Sequence, residues 1–141
     1  MSQQDVDVVR EVFTAVNERD FARARAGHAD DVVLVIREGF LNQGTFEGHQ
    51  GLTDWFGDWF RAFGSDYRFE IVEARELSEG LVFLLATHGG TGRSSGAEVR
   101  GENAYLYRVD GGKITRVQLF PTRDDALEAA ELPEWSGAQT D

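Results

Sequence analysis

Proton transfer near neutral pH is the first chemistry this sequence could support. Histidine is the side chain whose ordinary pKa lies there, and the chain has three: His28, His49 and His88. His88 follows Leu85-Ala86-Thr87 at the end of a strand-like run, which makes it the candidate base at a pocket edge. The competing role is a strand-end histidine satisfied by local hydrogen bonds. His49 stands where a helix begins and is read as loop packing before a pocket-mouth donor. His28 sits in a connection and is read as structural or exposed. None of the three has the i, i+4 spacing of a helical zinc site, so no metal is expected.

Two acidic pairs, Asp30-Asp31 and Asp124-Asp125, resemble acid–base couples on paper. Both fall at element starts, where carboxylates cap helices or face water. The run Gly89-Gly90-Thr91-Gly92-Arg93-Ser94-Ser95-Gly96 is phosphate-loop-like only in composition. It lacks the Gly-Lys-Ser/Thr ending and leads into a strand. No cofactor is implied.

The elements that must position these residues are legible from periodicity. Ser2 opens a capping box, and Val6, Val9, Phe13 and Val16 follow at helical spacing, ending near Asn17. Asp20 caps a second helix, Phe21 to Ala26, which Gly27 stops. Val32 to Ile36 is a buried strand. Residues 39–51, with four glycines, read as a loop. Leu52, Trp55, Phe56, Trp59, Phe60 and Phe63 form one apolar helical stripe, and Gly64 stands at its end. Strands are expected from Tyr67 to Ile71 and from Leu81 to Ala86. Two more run from about Ala97 to Val109 and from Lys113 to Phe120, joined by Asp110-Gly111-Gly112. Thr122 caps a last short helix. Helices first and strands later give an α+β domain over residues 1–132. Residues 133–141 are expected as a loose tail on which Trp135 can dock.

Composition narrows the partners. The 141 residues carry a net charge of −11, which disfavours binding to phosphate backbones or anionic lipid. Nucleic acid and membrane are therefore not expected partners. There is no cysteine, hence no disulfide, thiolate site or cysteine nucleophile. With no signal-like N-terminus, a cytoplasmic location is the default expectation.

Several segments resemble the SnoaL-like group of the nuclear transport factor 2-like superfamily, over about residues 5–132. They are Asn17-Glu18-Arg19-Asp20, Ala29-Asp30-Asp31-Val32-Val33, Gly44-Thr45-Phe46-Glu47-Gly48-His49-Gln50-Gly51-Leu52, Tyr107-Arg108-Val109-Asp110-Gly111-Gly112-Lys113-Ile114 and Asp125-Ala126-Leu127-Glu128-Ala129. The resemblance implies a cone: a curved antiparallel sheet wrapped around three N-terminal helices. It also implies a homodimer.

Ketosteroid isomerases of this superfamily use a carboxylate base, a tyrosine and a protonated acid. Matching by the quoted segments puts those positions on Ile36, near Val12 and on Ala104, so all three polar groups are missing. SnoaL-like cyclases pair a histidine with an aspartate. His88 lies close to the first position, and Leu119 holds the second. The same matching implies a cavity lined by Ala104, Leu106, Val117, Leu119 and Pro121, with Ile36 from the first strand and Trp55 or Trp59 from the third helix. Glu102 is the remaining inward carboxylate, able to carry a proton if buried. The alternative for it is exposure beside Arg100 or Arg116. Arg37 and Glu38 end the first strand at the mouth, and alternation lets only one face a ligand. Tyr105 and Tyr107 then fall on the outer face, suited to a dimer contact.

The leading expectation is a protein that binds a small apolar molecule in the cone. The alternatives are an isomerase, cyclase or lyase using His88 with Glu102, and a protein-interaction module. An enzyme needs His88 and Glu102 in one cavity. A module needs a filled cone and an exposed apolar sheet.

Overall fold

The computed structural model describes residues 3–36, 44–63, 66–92 and 96–136. The elements run α1 (Gln3–Asn17), α2 (Phe21–Ala26), β1 (His28–Ile36), β2 (Gly44–Glu47), α3 (Gly48–Ala62), β3 (Arg68–Ser78), β4 (Leu81–Thr91), β5 (Glu98–Asp110), β6 (Lys113–Phe120), α4 (Arg123–Ala129) and α5 (Pro133–Ser136). Six strands form one curved open sheet in the order β2-β1-β6-β5-β4-β3. All neighbours are antiparallel except β1 and β6, which pair parallel.

Local sequence explains most boundaries. The Asp20 side chain accepts from the Arg23 N–H at the start of α2, and the Thr122 side chain accepts from the Asp125 N–H at the start of α4. Gly27 ends α2 with an ordinary helical φ of −81°, so its role there is space: a Cβ would come 2.9 Å from Val12 Cγ2. The expected loop at 39–51 instead holds β2 and the first turn of α3, because Thr45 to Glu47 pair with Val33 to Val35. β4 runs on through His88 to Thr91. The expected end caps at Ser2 and Gly64 lie outside the described residues.

The sheet separates two apolar layers. Its inner face carries Val82, Leu84, Tyr105, Tyr107, Val117 and Leu119, packed against α1, α2 and α3. Its outer face carries Leu81, Phe83, Leu85, Ala104, Leu106 and Phe120, covered by α4 and α5. The tail expected to be loose therefore continues as a helix through residue 136, with Trp135 fully buried on that outer face. The Arg116 guanidinium lies 4.7 Å from the Trp135 ring centre, and Arg108 donates to the Trp135 carbonyl.

Candidate functional site

Three inner elements leave a partly open space between them. α1 presents Val12, Phe13 and Val16, and α3 presents Leu52, Trp55 and Phe56. The sheet contributes His28, Leu34, Phe69, Tyr105, Tyr107, Val117 and Leu119. The cavity measures about 40 Å3 and its wall is almost entirely apolar. Phe13 meets Tyr105 edge-on at 5.4 Å, and Tyr105 and Tyr107 stack at 5.9 Å. Trp55 and Trp59 stack at 5.7 Å along α3, and the Trp55 indole N–H has no acceptor.

Of the expected lining residues, Val117, Leu119 and Trp55 border this cavity. Ile36 and Trp59 are buried in the same core without reaching it. Ala104 and Leu106 do not face inward. They pack on the outer face with Ala126, Ala130 and Trp135. Tyr105 and Tyr107, expected outside at a dimer contact, take their place. The cause is a β-bulge. An unbroken ladder from the Asp110–Lys113 turn would pair Leu106 with Val117 and Ala104 with Leu119. In the structure Val109 pairs with Ile114 but Arg108 pairs with Arg116, so Thr115 is an extra residue. Its hydroxyl lies 3.3 Å from both the Arg108 carbonyl oxygen and an Asp110 carboxylate oxygen. Beyond it Tyr107 faces Val117 and Tyr105 faces Leu119, and one residue of slip turns every later side chain over. Arg37 and Glu38 lie outside the described residues.

His88 and Glu102 both border an open hollow of about 920 Å3 at the end of β3, β4 and β5, yet their side chains leave the sheet on opposite faces. Glu102 stands opposite Thr87 and is exposed on the outer face. His88 stands opposite Gly101 and turns its ring inward. That ring packs 6.0 Å from the Trp59 ring, and its Nδ1 lies 2.6 Å from the Tyr67 hydroxyl. Burial pushes the Tyr67 phenol above its ordinary pKa and the His88 imidazole below its own. The protonated phenol therefore donates to a neutral ring. Gly101 makes room for that ring, since a Cβ there would fall 2.7 Å from His88 Nε2. Tyr67 is itself held at both ends: Arg19 donates to its carbonyl, and its Cβ covers Gly90. This pair lies beside the cavity wall, not on it, and joins the end of α3 to the ends of β3 and β4.

The sequence reading missed Tyr105, Tyr107, Phe13 and His28 as cavity residues. His28 is almost completely buried, and its Nδ1 lies 2.8 Å from the Ala24 carbonyl oxygen at the end of α2. Burial lowers its pKa to about 4, so the ring is neutral. A carbonyl only accepts, so Nδ1 carries the proton. The half-exposed His49 lies 3.0 Å from the His28 carbonyl oxygen through Nε2. No group of three or more metal-ligating side chains occurs among the described residues. None of their helices is long and apolar enough to cross a membrane.

The SnoaL-like domain profile matches residues 9–117. No curated protein matches. Among solved structures, a nuclear transport factor 2-like protein of unknown function from Burkholderia pseudomallei is 21% identical. It covers 94% of this chain and 100% of its own, with a TM-score of 0.74. TerC, co-crystallised with polyporic acid, is 19% identical over 92% of this chain and 100% of its own, with a TM-score of 0.75. A protein of ketosteroid isomerase-like fold from Catenulispora acidiphila, in complex with trimethylamine, is 19% identical. It covers 89% of this chain and 93% of its own, with a TM-score of 0.71. At these identities the likeness concerns the fold.

Proposed function

The chain belongs to the SnoaL-like domain family, and from that premise we propose that it binds a small apolar molecule inside the cone. The observation that carries this reading is the apolar, partly open cavity between α1, α3 and the β5–β6 face, which no carboxylate lines. Ligand pockets for drug-sized molecules run to about 300–1,000 Å3, so the space of about 40 Å3 holds little more than water as it stands. A ring-sized guest enters only if the aromatic side chains of α3 give way. The polyporic acid of TerC and the trimethylamine of the Catenulispora protein support small-molecule occupancy on this fold.

Neither alternative is favoured. Proton transfer shared by His88 and Glu102 requires the two groups to converge; both border one wide hollow at the end of β3, β4 and β5, but their side chains leave the ladder on opposite faces. A protein-interaction module requires an apolar sheet open to a partner. Here α4 and α5 cover that face, and among the described residues Val72 and Leu132 are the large hydrophobics left strongly exposed. A homodimer and a cytoplasmic location belong to the same proposal. They rest on the family likeness and on the acidic, cysteine-free composition.

Native mass spectrometry of freshly purified protein, repeated under denaturing conditions, tests this. Bound mass that disappears on denaturation supports an occupied cone, and the assembly mass reads the oligomeric state. Protein that stays free of added mass, even when offered small apolar compounds, overturns it.

A further inference from the structure

We propose that His28 is the polar anchor of the cavity, and that the guest is a compact neutral molecule presenting a hydroxyl or N–H donor, with a phenol as its type. This rests on the cavity reading above. Three observations lead to it. His28 borders the cavity and is only 3% exposed. Its Nδ1–H is committed to the Ala24 carbonyl, which leaves Nε2 as a lone-pair acceptor. Nε2 has no hydrogen-bond partner among the described residues. A free lone pair beside an apolar wall is where a guest's donor would be received.

The remaining wall sets the class of guest. Tyr107 also borders the cavity, and its hydroxyl, which both donates and accepts, has no partner among the described residues. No Lys, Arg, Asp or Glu lines the space. A carboxylate or phosphate would bring charge into an apolar space beside a lone pair, with no cation to receive it. A hydrocarbon would leave Nε2 unmatched. A small alcohol or phenol satisfies both the acceptor and the apolar wall. Trp55 borders the same space with an N–H that has no acceptor, so a guest oxygen has a second group to meet once the wall moves.

The test is nitrogen-detected NMR of the histidine rings, titrated in parallel with phenol, toluene and benzoate. In the free protein, His28 is expected as the neutral tautomer with an unprotonated Nε2. Phenol is expected to shift that Nε2 resonance and to bind about tenfold more tightly than toluene, with benzoate weakest. His28→Phe should erase the preference for phenol while keeping toluene binding. Because that variant also loses the Ala24 bond, the wild-type Nε2 signal is the deciding readout. Equal binding of phenol and toluene with Nε2 unmoved overturns the anchor and leaves the cavity reading intact. Benzoate binding best, or a protonated Nε2 in the free protein, overturns the neutral-donor class. Binding of none of the three overturns this inference, while the bound mass seen or not seen by native mass spectrometry decides the cavity reading separately.

Discussion

Tyr107 stands directly opposite Val117 across β5 and β6, and both point into the cone. That relationship exists because Thr115 is bulged out of β6. It puts two tyrosine rings where an aliphatic wall would otherwise close the core.

The tyrosines give the first prediction. All three in the chain, Tyr67, Tyr105 and Tyr107, are buried, and burial raises each phenol above its ordinary pKa. At Tyr105 the Asn103 amide works against that rise without cancelling it. The folded form prefers the neutral phenols, so this contribution to stability is complete below the ordinary value near 10 and is lost as pH rises beyond it. Tyrosinate absorbance is expected to stay absent through that value and then appear cooperatively with unfolding. Gradual ionisation with the fold intact would show that the rings are accessible.

His28 gives the opposite dependence. Its folded pKa of about 4 lies below the ordinary 6.5, because burial disfavours the cation. The stabilisation is present above pH 6.5 and falls away as the pH drops toward 4. There the unfolded chain takes up a proton that the fold refuses. A drop of this size corresponds to roughly 3 kcal/mol at most. Asp66, bonded to Thr91, and Glu73, paired with Arg123, have carboxyls held below their usual range and act only at lower pH. Urea unfolding at a series of pH values should show this window, and His28→Gln should remove most of it, leaving the part that the likewise lowered His88 contributes. An unchanged slope in His28→Gln would assign the loss elsewhere.

Gly101→Ala tests the packing of His88. The new Cβ would meet the imidazole edge, so the ring must leave Tyr67 and Trp59. Overpacking of this kind costs about 1–3 kcal/mol. Denaturant midpoints for Gly101→Ala and Tyr67→Phe, with toluene binding measured alongside, check this. Both variants should lose stability and keep binding, since the pair lies outside the cavity wall. Loss of binding at unchanged stability would instead give His88 a direct part in the site.

Trp135 tests the C-terminal cover. It is fully buried against Leu81, Ala104 and Leu106, beneath Arg116. Trp135→Ala is expected to cost about 3–5 kcal/mol, the usual range for a buried large aromatic. Thermal unfolding measures it, and a loss below about 1 kcal/mol would mean that α5 does not hold the outer face in solution.

How much of this was readable in advance follows from the range of the physics involved. The helical stripe from Leu52 to Phe63 and the caps at Asp20 and Thr122 act within a few residues, and they form as the spacing implies. The cavity wall was half legible. Val117 and Leu119 face inward as expected, but the Thr115 bulge reverses the partner strand. A bulge is set by the ladder on both sides and by side-chain bonds such as Thr115 to Arg108 and Asp110, which alternation alone does not reveal. His28 was passed over because it stands beside two exposed acids, Asp30 and Asp31. Its burial comes from α2 and α3 closing over the start of β1. The Ala24 carbonyl four residues earlier was the local signal for its tautomer.

The most direct test is a crystal structure of the protein soaked with phenol. The ring should lie inside the cone among Phe13, Trp55, Tyr107 and Val117, with its hydroxyl within hydrogen-bond distance of His28 Nε2. A cone still closed by its own side chains at saturating phenol, or a phenol seated only on the outer face, would contradict it.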